Sequence, residues 1–332
     1  MKKIALITER KISGEVNGGS IRDERLLSCL HEFSNVDVFY NDVSNCGRLG
    51  VFKCNKKLPQ KIINALNSEV YDHVIISTFT VSPYYLSYAK INSNAIYYLC
   101  DSAFHMLSQH LSYKVKLITL FLCIKEWLSL RMVCAAYLGD DEIKRLPSKL
   151  KSKGLVFPFF IEKKESLFDK NGFVTFVGDY SFLPNRKALD KIILLAPEVN
   201  CQFKLFGGNF PEHLRLPPNV VYEGYVDNLS DLYHGARALI YPIEYGTGVK
   251  NKVIEAMSYG IPVIGYKQAF TNFKLPINLK SSVVEKDSDF KYLLNKDLSY
   301  LADASSDFIT NEFSKDLVVN KISSILRVRS KK

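Results

Sequence analysis

Short apolar runs alternate with stretches of helical spacing from one end of the chain to the other. In the first half the runs are KIALI, VDVFY, HVIIS, AIYYL, AAYLG and LVFPF; in the second they are FVTFVG, CQFKLFG, NVVYEG, ALIYP and IPVIG. Strands separated by helical stretches are the signature of parallel sheets covered by helices. Helices are expected to start near Asn185, Leu229 and Val249. A closing helix is read from FSKDLVVNKISSILRV, whose apolar residues are Phe313, Leu317, Ile322, Ile325 and Leu326. The fold class predicted is α/β, with two Rossmann-like doubly wound domains. Their seam falls at Phe157 to Glu162, where a strand runs into a proline and the polar stretch KKESLFDKNG follows. The boundaries are residues 1–158, 159–310 and 311–332, the last being a helix that crosses back to the first domain. Sheets of this type bind ligands outside the carboxyl ends of their strands, so function is expected there, facing a cleft between the halves.

Length supports this division, since 332 residues exceed the size at which one hydrophobic core stops growing. Seven scattered cysteines without a C-x-x-C pair argue against a disulfide framework or a structural zinc site and suit a reducing cytoplasm. Thr8, Glu9 and Arg10 cut off the first apolar run, which is expected to be a buried strand rather than a leader. The most apolar segment, Leu117 to Ile124, is interrupted by Lys125 and Glu126, too soon to span a bilayer. Net charge is +10, and residues 1–160 hold 21 Lys and Arg against 14 Asp and Glu. Such a basic half suits an anionic membrane face or nucleic acid. Lys114, Lys116, Lys125 and Arg131, which flank the apolar stretch, favour the membrane, and a long core helix with solvated charges is the competing reading. Nucleic acid ranks last, because no reading module accompanies the charge.

Candidate chemistry concentrates in GTGVKNKVIEAMSYGIPVIG, which follows the strand ALIYP. Gly246 and Gly248, with Thr247 and Val249, form a loop whose backbone is free to let a ligand approach closely. The helix that follows begins with unpaired N–H groups and the positive end of its dipole, a site suited to phosphate. Lys250 and Lys252 in that first turn run against the local electrostatic preference, and a bound anion explains them. At 100° per residue Val249, Val253, Ile254 and Met257 share one side while Glu255 points nearly opposite. A carboxylate there is able to accept two hydrogen bonds from a vicinal diol such as a ribose; a solvated Glu or a Lys252–Glu255 pair is the plainer alternative.

The order of pieces over residues 173–266 is a strand and glycine, a Pro-Asn helix, a strand ending in Gly-Gly, a strand ending in EGYV and a strand to proline. G-x-G-x-K-x-K-x-x-E-A-M and G-x-P-V follow. This order resembles the donor-binding domain of retaining nucleotide-sugar glycosyltransferases of the GT-B fold, family 4. The resemblance implies that Glu255 holds the ribose, that Lys252 contacts the diphosphate, and that the loop Gly246 to Val249 offers N–H groups to sugar or phosphate. The base would lie near Phe206 to Gly208 and Gly224 to Val226. Two departures stand out. Thr247 replaces the family's first glutamate, which leaves the sugar open. Asp179 follows Gly178, and Asn185, Arg186 and Lys187 occupy the region of a family lysine, so that either Arg186 substitutes or Lys250 and Lys252 supply the charge alone.

The N-terminal half is similar to the family more loosely. Gly18 and Gly19 precede a helix, as a loop facing acceptor and donor phosphates or as a plain turn. Asp101 and His105 follow the strand AIYYL, where Asp101 would orient the acceptor or cap the next helix and His105 would touch the acceptor. The resemblance implies transfer of a sugar from a nucleotide-diphosphate donor to a glycan or lipid-linked acceptor, in bacterial surface polysaccharide (lipopolysaccharide or capsule) synthesis. Lys252, Lys250 and Asp101 would act in the chemistry. No metal or other cofactor is expected, because fixed positive charge stabilises the leaving diphosphate. The expected place is cytoplasmic, peripheral on the inner face of the membrane. A silent nucleotide-sugar-binding subunit and a sugar-nucleotide epimerase of the same fold remain alternatives.

Overall fold

A computed structural model describes residues 2–9, 11–12, 18–41, 58–78, 95–109 and 113–329, with the side chains of residues 18 and 19 outside the description. Arg10, Cys46 and Cys54 also lie outside the described residues. The chain divides into two units, residues 1–160 with 315–332, and residues 161–314.

The first unit is built on six parallel strands: β1 (Lys2–Thr8), β2 (Ser34–Tyr40), β3 (His73–Ser77), β4 (Ala95–Tyr98), β5 (Cys134–Tyr137) and β6 (Gly154–Val156), in the order β2-β1-β3-β4-β5-β6. Its described helices include α1 (Gly18–His31), α2 (Gln60–Ser68), α3 (Ala103–Leu107), α4 (Tyr113–Leu130) and α5 (Asp140–Lys144). Two apolar layers cover the sheet. One gathers Ile7, Ile76, Tyr97 and Tyr137 with Ile62 and Leu130; the other gathers Ile4, Leu6, Ile75 and Tyr98 with Leu26 and Leu30.

The second unit is also six-stranded and parallel. Its strands are β7 (Phe168–Val177), β8 (Phe203–Phe206), β9 (Val220–Gly224), β10 (Ala236–Tyr241), β11 (Val263–Tyr266) and β12 (Val283–Val284), in the order β12-β11-β10-β7-β8-β9. The helices are α6 (Leu183–Leu195), α7 (Asn251–Ser258), α8 (Asp287–Leu294) and α9 (Ser299–Phe313). Near Leu229 the chain makes only a 3₁₀ turn, Leu229–Leu232, in place of the full helix expected there.

The closing helix, α10 (Lys315–Arg329), belongs to the first unit. Val318, Ile322 and Leu326 enter the layer of Ile4 and Leu6. Lys2 Nζ donates to the Leu326 carbonyl at 3.1 Å, and His73 Nε2 lies 2.9 Å from the same oxygen. The buried face is offset from the one read in sequence: Leu317 is 39% exposed, and Phe313 ends α9.

Candidate functional site

In the second unit the strand order reverses between β7 and β10, and such a switch point leaves a crevice at the strands' carboxyl ends. The chain leaving β10 makes a loop in which Gly246 has φ 141° and Gly248 has φ 70°, angles that side-chain-bearing residues rarely adopt. Lys250, buried and at the N-cap of α7, folds back under this loop and donates to the Thr247 and Gly248 carbonyls. Gln268 Nε2 clamps the Gly246 carbonyl. These bonds hold the loop's carbonyls on side chains at the mouth of α7, whose first N–H groups have no acceptor within the helix. Thr247 and Val249 are half-buried in the same loop.

Lys252 turns toward β7. Its ammonium donates to the Val177 carbonyl, approaches Asn185 Oδ1 at 3.4 Å, and lies 5.0 Å and 5.8 Å from the ring centres of Phe176 and Tyr241. Burial pulls it down to about 8, with Glu255 acting in the opposite sense. Glu255 is half-buried one turn further along α7, while Val253, Ile254 and Met257 are fully buried. Tyr233 donates to the Lys252 carbonyl at 3.4 Å, and burial, then the charge of Glu255, raise its phenol well above the usual range.

The exit of β7 interlocks with that of β8. A Cβ on Gly207 (φ 118°) would fall 2.0 Å from the Gly178 carbonyl oxygen, and one on Gly178 would meet the Asn185 side chain at 2.7 Å. Only glycine permits two backbones so close. Asn185 Nδ2 donates to the Asp179 carbonyl at 2.9 Å. The Asp179 carboxylate accepts from Ser181 Oγ, Asn209 Nδ2 and Ser181 N, bonds that lower its pKa. Arg186 stands aside, half-buried, with Nε 3.9 Å from Asp190. Phe210 stacks on Tyr222 at 4.1 Å, and Tyr180 meets both edge-on. Sequence reading does not single out Asn185 as a partner of Lys252, nor Gln268, nor this aromatic group. The Pro-Asn helix start is the available signal for Asn185; Gln268 has none.

In the first unit Gly18 and Gly19 lie in the first turn of α1. The switch point here lies between β1 and β3, and beside it sits a constellation that sequence reading misses. Arg22, 6% exposed, donates to Asp23 Oδ1 at 3.0 and 2.8 Å and reaches Ser77 Oγ and Cys100 Sγ. Its guanidinium lies 4.7 Å from the ring centre of Tyr98. Burial opposes that charge, but Cys100 and Asp23 prevail and raise its pKa. An adjacent Arg-Asp pair shortly after Gly-Gly is the signal in the sequence.

Asp101 follows β4, and Ser102 rather than Asp101 caps α3, accepting from Phe104 N. His105 is buried, with Nδ1 2.8 Å from Glu142 Oε1. The Glu142 carboxylate also accepts from Ser102 N through Oε2 at 2.8 Å. Glu126, from α4, accepts from Ala103 N at 2.7 Å, Ser102 Oγ at 3.2 Å and Tyr137. Burial pushes Glu126 up to about 7 against these bonds. Two buried carboxylates thus hold the start of α3, and His105 is part of that clamp. Among the described residues no group of three His, Cys, Asp or Glu is placed to hold a metal ion.

Residues 172–275 match the family model described as "Glycosyl transferases group 1", the span that builds the β7, β10 and α7 site. Sucrose-phosphate synthase from Thermosynechococcus elongatus superposes with a TM-score of 0.71 at 16% identity, over 98% of this chain and 98% of that one. Anabaena HepE, in complex with UDP, gives 0.64 at 14% identity over 99% and 100%. The fold is GT-B. TarM gives 0.61 at 14% identity over 80% of this GT-B chain, which spans only 57% of TarM. No curated protein matches the sequence.

Proposed function

We propose that this GT-B chain is a retaining glycosyltransferase that moves a sugar from a nucleoside-diphosphate donor to a glycan or lipid-linked acceptor in surface polysaccharide synthesis. One observation carries the reading. The segment that matches the glycosyltransferase family, residues 172–275, is the segment that forms the switch-point site with Lys252, Lys250 and Glu255. HepE, of the same fold, binds UDP, and a diphosphate suits a helix start beside a partly desolvated lysine.

In this reading Glu255 accepts from the ribose hydroxyls. The first turn of α7 and Lys252 take the charge that develops on the leaving diphosphate, so no resident metal is required. Lys250 keeps the Gly246–Val249 loop in shape around the sugar. The leaving phosphate oxygen receives the acceptor's proton on the face it has just left, and Asp101 orients the acceptor. Thr247, standing where an acid is usual in the resembling family, favours a second reading: a subunit that binds a nucleotide sugar without turning it over.

A thermal-shift screen of UDP-, GDP- and ADP-sugars, followed by a transfer assay, tests both. One donor class is expected to raise the melting temperature by mass action. Lys252→Ala and Glu255→Ala are expected to abolish that shift while the unliganded chain still melts cooperatively. No shift from any nucleotide would overturn the proposal; a shift without transfer or isomerisation of the donor would leave the binding subunit.

A further inference from the structure

The helix α4 is inside out. Six of its apolar side chains, Leu117, Leu120, Phe121, Ile124, Trp127 and Leu128, are each between 41% and 52% exposed. At 100° per residue they fall within an arc of about 120°. Beyond the first turn, where Val115 is also exposed, the opposite arc is buried in the first unit and holds Thr119, Glu126 and Ser129 along with Leu122, Cys123 and Leu130. A helix adapted to water carries its polar residues outward and its apolar ones inward; here the outward face is the more apolar.

Charge of one sign flanks this face. Lys114 and Lys125 lie on one side of the apolar arc, Lys116 on the other, and Arg131 just past the helix end. The one acid in the helix, Glu126, is buried on the inner side. Lys125 lies 4.9 Å from the ring centre of Phe121, and Arg131 lies 4.8 Å from that of Trp127. The charges therefore drape over aromatic surface, as long side chains do when they reach from an apolar layer toward phosphates. The adjoining turn, Ser148–Lys153, packs against α4 and adds Lys149, Lys151 and Lys153. No described helix is long and apolar enough to cross a membrane.

We propose that α4 docks on an anionic lipid bilayer, lying in the headgroup layer with Leu120, Ile124 and Trp127 inserted and the lysines on lipid phosphates. A second copy of the chain would cover the apolar residues equally, but it would bring the same positive charges together. Anionic lipid complements both features. Glu126 bonds the inner face of α4 to Ser102 and Ala103, next to Asp101. A docked helix therefore holds the Asp101 loop at a fixed height above the lipid, as suits a lipid-linked acceptor; this last consequence rests on the transfer reading, whereas docking does not.

Trp127 is the single tryptophan of the chain, so its fluorescence reports docking directly. The full chain is titrated with phosphatidylcholine vesicles with and without one quarter phosphatidylglycerol, in low and high salt, and binding is measured by flotation. With the anionic vesicles alone, Trp127 emission is expected to shift to the blue and the chain to float. Each of Lys114→Glu, Lys116→Glu and Lys125→Glu is expected to weaken binding by at least roughly fivefold. The double variant Leu120→Asp with Ile124→Asp is expected to stay in solution with an unchanged melting temperature. Docking is overturned if the wild type ignores anionic vesicles, or if the double variant floats like the wild type. It is equally overturned if the double variant only converts a dimer to a monomer in sedimentation. A chain that floats but shows no shift with any nucleotide keeps the docking and overturns the transfer reading instead.

Discussion

Burial among Phe176, Tyr241 and the Val177 carbonyl pulls the Lys252 ammonium down to about 8. A bound diphosphate favours the charged form, so the complex keeps the proton to higher pH than the free chain. Between those two values binding takes up a proton, and affinity falls as pH rises. Affinity for whichever nucleoside diphosphate the screen identifies is expected to be flat below about pH 7 and to fall toward about tenfold per pH unit above pH 8. Calorimetry in two buffers of different ionisation enthalpy would detect the proton uptake, and Lys252→Met should remove both it and most of the affinity. Stability runs the other way: a lysine depressed in the folded chain disfavours folding while charged, so that penalty is relieved as pH rises from about 8 to its ordinary 10.5. The helix positions of Lys252 and Glu255 are legible in sequence because spacing on a helix fixes direction. The inward turn of Lys250 is not, because a long side chain goes where carbonyls lie, and those belong to a loop without a period.

Among the elements, α4 shows how a helix is anchored by polar groups when its apolar face points outward. Glu126 accepts hydrogen bonds from Ser102, Ala103 and Tyr137, yet burial raises it to about 7. A carboxyl raised in the folded chain binds its proton more tightly there than when unfolded. Stability should therefore fall as pH rises from about 4.5 to about 7 and stay lowered above that, a loss on the order of 3 kcal/mol at most. Glu126→Gln, which carries no charge, is expected to flatten that slope in urea titrations between about pH 5 and pH 8. The apolar run inside α4 is visible in the sequence, but its exposure is not. Hydrophobicity alone does not distinguish a core helix from one whose oily side has no protein over it.

Over the full length of the chain, α10 ties the end to the beginning. Val318, Ile322 and Leu326 fill the layer over β1 and β3, and Lys2 Nζ holds the Leu326 carbonyl. Ile322→Ala is expected to cost about 2–5 kcal/mol, read as a lower melting temperature for the first unit. The nucleotide-induced shift expected of the proposed donor site, whose residues lie within 161–314, should persist in that variant. Its loss there would show that the donor site depends on the first unit.

Local pattern is enough to specify the α/β class, the parallel sheets and the switch-point motif of the second unit, because each depends on periodicity, turn chemistry or fixed spacing along a helix. The remaining features arise only once the chain has folded. Folding brings Lys252 to the end of β7 and desolvates it, assembles Arg22, Asp23, Ser77 and Cys100 from three separate segments, locks His105 to Glu142, and leaves the apolar side of α4 uncovered. Each of these depends on which distant residues become neighbours, and burial, pKa and exposure follow from those neighbours rather than from any local pattern.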